Sequence, residues 1–125
     1  MSEYSSVLGY IGGTVFFTVT GQLLVKWGML AVGPMPQERD QLLGFIWRAF
    51  ANWGVFTGLA CAGIAALFWI LAMSKSDISF AYPFMGLAIV LVLALSPLLF
   101  QENVPLTRWL GVLVVCLGIW IASRA

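Results

Sequence analysis

Four apolar runs, each close to the length of a membrane-spanning helix, limit the folds open to this chain of 125 residues. A helix rises about 1.5 Å per residue, so about 20 apolar residues cross the hydrocarbon core of a bilayer. The composition agrees, because 62% of the residues are hydrophobic, 9% are charged and the mean hydropathy is +1.00. The sequence therefore predicts an all-α membrane protein with one domain over residues 1–125 and four transmembrane helices, at residues 7–30, 49–73, 78–100 and 104–122.

A row of hydrogen-bonding side chains follows the first predicted span at four-residue steps. This polar stripe consists of Ser6, Tyr10, Thr14, Thr18, Gln22 and Lys26. Polar groups in hydrocarbon need partners, so we expect the stripe to face protein, water or a substrate. Each step also advances about 40° around the helix, so only neighbouring members share a face. Thr14 and Thr18 are expected to bond carbonyl groups of their own helix.

Lys26 is the one full charge well inside a predicted span. It lies four residues before Leu30, where the span is expected to end, and hence about 6 Å deep by helix rise. A lysine at this depth either extends to the membrane surface or binds an anion such as a lipid phosphate. Gln22, one turn deeper, favours the second interpretation, because an amide that faces lipid tails leaves two donors and one acceptor unused.

Two residues at the ends of the third predicted span are further candidates for a binding site. Glu102 lies on the same membrane side as Lys26 if the spans alternate in direction. It could pair with Lys26 or remain a solvated carboxylate near Arg108. Tyr82 opens the span beside Pro83 and could be an interfacial anchor or line a cavity. Pro83 removes a backbone donor and predicts a bend.

The composition gives little support for catalysis, metal binding or nucleic-acid binding. The chain has no histidine, its net charge is +1, and its basic residues do not cluster. No nucleophile has a base at motif spacing, and no potential metal ligands cluster. We therefore expect no enzyme activity, no cofactor, no metal site and no nucleic-acid partner.

The longest connection follows the first span and covers residues 33–40. It combines glycine and proline with the densest charge in the chain, which is typical of a loop. Apolar and aromatic residues at 42–50 are predicted to form an interfacial start to the second helix. The basic residues of the two membrane sides are nearly balanced, so they place this loop in the cytoplasm only weakly.

Small residues mark two helix faces for close packing. Gly54, Gly58 and Ala62 form a row on the second span that allows another helix to approach closely. Gly111 and Gly118 give the fourth span a narrow face, which we expect to be a dimer interface. Four helices enclose little volume and no internal repeat is visible, so a transport pathway is expected to need a second subunit.

Residues of three spans carry a resemblance to known transporters: Gly21, Lys26, Ala81, Tyr82, Gly111, Cys116 and Gly118. With the four short spans, they resemble the small multidrug resistance family of the drug/metabolite transporter superfamily, whose members work as dimers, often antiparallel. That family has its proton- and drug-binding glutamate three positions before the first-helix glycine, where this chain has Thr18. The difference argues against proton-coupled export of cationic drugs.

A second resemblance covers nearly the whole chain. It rests on Gly21-Gln22 with Lys26; Leu59-Ala60-Cys61 with Gly63 and Trp69; Ala81-Tyr82-Pro83; Glu102; and the neighbourhood of Arg108 with Trp109, Gly111, Cys116 and Gly118. These residues are similar to subunits of the aminoarabinose-phosphoundecaprenol flippase, an unlike pair in the bacterial inner membrane. The resemblance implies a flippase for a polyprenyl-phosphate-linked aminosugar, acting as a homodimer or as a heterodimer with a homologous four-helix subunit.

The substrate-binding residues expected for such a flippase are Gln22, Lys26, Thr18, Tyr82 and Glu102. Two other functions remain open at this point. A drug or small-metabolite carrier would use Glu102 or Asp77 for coupling, and a non-transporting subunit would stabilise a larger membrane complex.

Overall fold

A computed structural model describes residues 2–124 of the chain, with side chains from residue 5 onward. Its elements, in order, are α1 (Ser2–Val32), α2 (Arg39–Ala51), α3 (Trp53–Met73), α4 (Ile78–Ala81), a 3₁₀ turn (Tyr82–Met85), α5 (Gly86–Phe100) and α6 (Leu106–Ser123). Four segments are long and apolar enough to cross a membrane: Ser5–Val32, Trp53–Met73, Ile78–Phe100 and Leu106–Ser123. The predicted all-α membrane fold is confirmed, and residues 2–124 contain no strand.

One face of α1 supplies half of the buried core. Its apolar residues repeat every four positions, which places them on neighbouring turns. They pack against small residues of α3 and of the third span, so that the core consists of Val7, Ile11, Val15, Val19, Ala72, Ala81 and Ala88. The polar stripe precedes each of these valine and isoleucine positions by one residue and therefore lies beside the core.

Glycines allow α1 and α3 to pack closely. A Cβ atom added at Gly58 would lie 2.6 Å from the carbonyl oxygen of Gly21, and one added at Gly21 would lie 2.7 Å from the carbonyl oxygen of Gly58. A Cβ atom at Gly54 would lie 3.0 Å from the Cα atom of Gly28. Side chains at these positions would force the backbones apart. The close approach predicted for Gly54 and Gly58 is confirmed.

The second span begins at Trp53, four residues later than expected, because Asn52 separates α2 from α3. The Asn52 backbone is extended, and its Oδ1 atom accepts hydrogen bonds from the N–H groups of Gly54 at 2.9 Å and Val55 at 3.2 Å. This N-cap satisfies two amides that have no partner within the helix. The predicted interfacial segment is thus a helix of its own, and none of its residues is buried.

The third span is interrupted near the position where Pro83 predicted a bend. The short helix α4 ends at Ala81, and the 3₁₀ turn links it to α5. At the start of α5, a Cβ atom added at Gly86 would lie 2.9 Å from Ile119 and 3.2 Å from Val115. Gly86 therefore lets α6 pack closely against this end of the span.

Most of α6 faces outward. Val112 is its buried residue, whereas Gly111 and Gly118 are exposed. A Cβ atom added at either glycine would meet nothing within 4 Å in the described part of the chain. The face proposed for dimerisation is therefore open in the single chain.

Candidate functional site

The polar stripe turns from the interior of the fold to its open side along α1. Thr14 is 3% exposed, Thr18 is half-buried, and Gln22 and Lys26 are exposed. The 40° advance per four residues accounts for this order. As predicted, the Thr14 hydroxyl donates to a carbonyl of its own helix, that of Tyr10, at 2.9 Å.

The prediction of the same bond for Thr18 is wrong. Among the described residues its hydroxyl has no hydrogen-bond partner, and Thr18 instead lines two cavities. Thr18 is half-buried and lies between the cavity walls that α3 and α5 supply. A polar group of this kind can bind a ligand without giving up an existing bond.

The two cavities share Thr18 as a lining residue, and we call them together the Thr18 groove. The first has a volume of about 280 Å³ and is lined by Thr14, Thr18, Ala62, Ala65, Ala66, Trp69, Tyr82 and Met85. The second has a volume of about 290 Å³ and is lined by Thr18, Gln22, Ala88, Ile89, Val92 and Leu93. Helix α1 supplies the polar groups, and α3 and α5 supply mainly apolar walls.

An aromatic pair borders one end of the groove. The Tyr82 ring meets the Trp69 ring edge to face, with 5.9 Å between centroids. Tyr82 is 63% exposed and lines the groove, so the structure favours the cavity interpretation over a purely interfacial anchor. The interruption of the third span after Ala81 places Tyr82 there.

A pair of opposite charges lies one helical turn beyond the other end. The Nζ atom of Lys26 is 3.9 Å from the Oε1 atom of Glu102, and these side chains are 50% and 41% exposed. The ion pair between Lys26 and Glu102, one of the two alternatives predicted for Glu102, is therefore present. Because both groups are partly solvated, the pair contributes only about 0–1 kcal/mol to stability.

The turn after α5 brings Glu102 to α1. Gln101 ends α5 in a left-handed conformation, with φ of 56° and ψ of 34°. This conformation is uncommon for a residue other than glycine and reverses the chain direction at once. Lys26 also lines an open cavity of about 370 Å³ with Met29, Leu30, Gly33 and Pro34.

The site has largely apolar walls, the uncharged polar side chains of Thr14, Thr18, Gln22 and Tyr82, and a charge pair beyond one end. From Thr14 to Lys26 the stripe extends about 18 Å along the helix, more than half of a hydrocarbon core about 30 Å thick. Such a surface suits an amphiphile that has a polar head and an apolar tail. No group of three potential metal ligands occurs within the described residues.

A family model for the EamA-like transporter family matches residues 11–124, which include the whole groove and the charge pair. The chain belongs to the EamA-like transporter family. The match covers three spans of this EamA-like protein in full and the first span from residue 11 onward, so the resemblance to the drug/metabolite transporters is confirmed.

Curated relatives of this EamA-like protein are named as flippase subunits. It is 33% identical, over 90% of its length and 89% of the relative's, to a probable 4-amino-4-deoxy-L-arabinose-phosphoundecaprenol flippase subunit ArnF of Yersinia enterocolitica. It is 30% identical to the ArnF of Photorhabdus laumondii, over 93% and 97% of the two chains. An ArnE subunit of Pseudomonas savastanoi is 30% identical over 69% and 75%. No solved structure matches the chain.

The structure brings the predicted site residues together in two groups. Thr18, Gln22 and Tyr82 line the groove, and Lys26 pairs with Glu102. Sequence reasoning did not assign the walls of α3 and α5 to the site, namely Ala62, Ala65, Ala66, Ala88, Ile89, Val92 and Leu93. Apolar residues in a membrane helix carry no chemical signal that separates a cavity wall from a lipid-facing surface.

Proposed function

We propose that this protein is a subunit of a flippase that moves a polyprenyl-phosphate-linked aminosugar across the bacterial inner membrane. The observation that carries the proposal is the Thr18 groove, which combines apolar walls with polar groups and ends one turn before a lysine. The names of the relatives, which describe subunits of such a flippase, support the same substrate class.

In this proposal each part of the lipid meets a matching surface. The polyprenyl tail lies against the alanine and aliphatic walls of α3 and α5, where contact with protein replaces contact with lipid tails. Gln22 and the free hydroxyl of Thr18 offer hydrogen bonds to the sugar. Lys26 binds the phosphodiester, because its ammonium lies near the membrane surface and is half exposed.

A second subunit completes the pathway. The groove lies at the surface of a single chain, so the open side needs a cover that keeps a sugar away from hydrocarbon. We assign this cover to a second copy or to a homologous four-helix subunit. The exposed face of α6 that contains Gly111 and Gly118 is the proposed contact, since an added Cβ would meet no described atom there.

The test is flipping in liposomes. The purified protein, alone or together with a homologous subunit, is reconstituted with undecaprenyl phosphate that carries 4-amino-4-deoxy-L-arabinose, and the lipid's access to the opposite leaflet is measured. We expect protein-dependent flipping that is lost in Gln22→Leu and in Lys26→Ala. Gln41→Leu is the matched control, because it makes the same change on the exposed surface of α2, outside the groove.

Two results would contradict the proposal. Folded protein that moves no lipid, with or without the homologous subunit, would point to a small-molecule carrier or to an assembly role. Unchanged flipping by folded Gln22→Leu and Lys26→Ala variants would remove the polar stripe from the pathway.

A further inference from the structure

The ion pair between Lys26 and Glu102 connects two separate parts of the fold, α1 and the link between α5 and α6. Its distance of 3.9 Å exceeds the roughly 2.7–2.9 Å of a charge-assisted hydrogen bond. Neither the ammonium nor the carboxylate therefore uses its hydrogen-bonding capacity fully. Both are about half exposed and so accessible to a ligand.

We propose that this ion pair is the substrate-free arrangement of a two-charge site, in which Glu102 binds the ammonium of the aminosugar while Lys26 binds the phosphodiester. This inference rests on the proposed function and deepens it. It makes the amino group, and not only the phosphate, a determinant of which lipid the protein moves.

Charge balance is the physical reason why Lys26 and Glu102 exchange each other for the two charges of the substrate. Lys26 lies six residues before the end of α1, about 9 Å along the helix, and Glu102 follows α5 by two residues, so both lie near the membrane edge. Both groups are about half exposed, so each gains only modestly from its partner and a ligand charge can replace that partner. A head group with one anion and one ammonium replaces both partners of the pair at once. A phosphodiester that carries an uncharged sugar neutralises the Lys26 ammonium but leaves the Glu102 carboxylate without a partner.

The fold gives the carboxylate the freedom that the exchange requires. Glu102 lies on a five-residue connection, residues 101–105, outside any helix, whereas Lys26 is held on α1. A ligand that enters between them needs only a change in side-chain and connection geometry. Glu102 directly follows the left-handed residue Gln101, and its carboxylate lies 3.9 Å from the Lys26 ammonium on α1.

The test compares two lipids that differ at one position. Undecaprenyl phosphate that carries 4-amino-4-deoxy-L-arabinose is compared with undecaprenyl phosphate that carries L-arabinose, at neutral pH where the amine is protonated. We expect the unmodified protein to move the aminosugar lipid about two- to fivefold faster, because ion pairing with a half-exposed carboxylate is weak but favourable. In Glu102→Gln this preference is expected to fall to nearly one, mainly through slower flipping of the aminosugar lipid.

Controls separate recognition from folding. Glu38→Gln removes an exposed carboxylate from the loop before α2, outside the proposed site, and should keep the preference. A ratio of two rates in one preparation is insensitive to a lower yield of folded protein. If Glu102→Gln folds too poorly, Glu102→Ala removes the same charge and tests the ratio in its place.

The outcomes distinguish this inference from the function on which it rests. An unmodified protein that moves neither lipid overturns the proposed function. Equal rates for the two lipids, or a preference that Glu102→Gln leaves unchanged, overturn the role of Glu102 while the flippase proposal stands. A preference that disappears in Glu102→Gln and survives in Glu38→Gln supports the two-charge site.

Discussion

Alanine at position 58 should destabilise the protein more than alanine at position 63, although both lie on α3. At position 58 the new Cβ would lie 2.6 Å from the carbonyl oxygen of Gly21, about 0.8 Å inside the 3.4 Å at which ordinary contact begins. At Gly63 it would meet nothing within 4 Å in the described structure. Both variants gain the same backbone preference for alanine in a helix, so their difference isolates the steric effect.

The expected difference follows from the geometry. To relieve the contact at Gly58, α1 and α3 must separate by about 0.8 Å at their crossing. A gap of roughly 0.5–1 Å removes about a quarter to a half of the attraction of each atom pair across the contact. Overpacking of this kind costs about 1–3 kcal/mol. We expect Gly58→Ala to be less stable than Gly63→Ala by this amount.

Reversible unfolding in mixed micelles, titrated with a denaturing detergent and followed by circular dichroism, measures the difference. Several protein concentrations are needed, because dissociation of a dimer makes apparent stability depend on concentration. The steric reasoning would be refuted if the unfolding free energies of the two variants agreed within about 0.5 kcal/mol, or if Gly63→Ala lost more stability. A steric clash between helices must cost more than an ordinary surface substitution.

Two further predictions concern the start of α3 and the centre of the groove. Asn52→Ala should lower the free energy of unfolding by about 0.5–2 kcal/mol, because it removes the acceptor for the Gly54 and Val55 amides. Hydrogen exchange at those two amides should become faster. Asn103→Ala, in the connection 101–105, is the control. Thr18→Phe should fill the groove and slow flipping about tenfold or more in the liposome assay. Thr20→Phe, at a residue outside the groove lining, is the control. Equal flipping by the two variants would exclude the groove as the pathway.

Apolar length and helix periodicity were sufficient to predict the all-α fold and the course of the polar stripe. The advance of about 40° per four residues is a property of any α-helix, so it could be predicted without knowing which helices pack against α1. The boundary at Asn52 was missed, because the residues on both sides are apolar and only the cap geometry separates an interfacial helix from a spanning one. Capping depends on backbone angles, which hydropathy does not contain.

The site was predicted only on its polar side. Gln22, Lys26 and Glu102 stand out in a sequence because polar groups are costly in a membrane. Thr18 was expected among the substrate-binding residues, and it lines the groove; the separate expectation that its hydroxyl bonds within its own helix was wrong. Alternating span directions placed Lys26 and Glu102 on one membrane side, but only the structure gave the 3.9 Å between them.

The close glycine contact between α1 and α3 has a consequence for how the chain can move. These two helices share most of the contacts between helices, whereas α5 touches α1 more sparsely and α6 touches α5 and the 3₁₀ turn. The closely packed part of the chain is therefore the pair α1 and α3, to which α5 and α6 attach with fewer contacts. Thr18 and Gln22 belong to this pair, whereas Ala88 and Val92 lie on α5. A movement of α5 away from α1 would widen the groove at the expense of the weaker contact and leave the glycine contact intact.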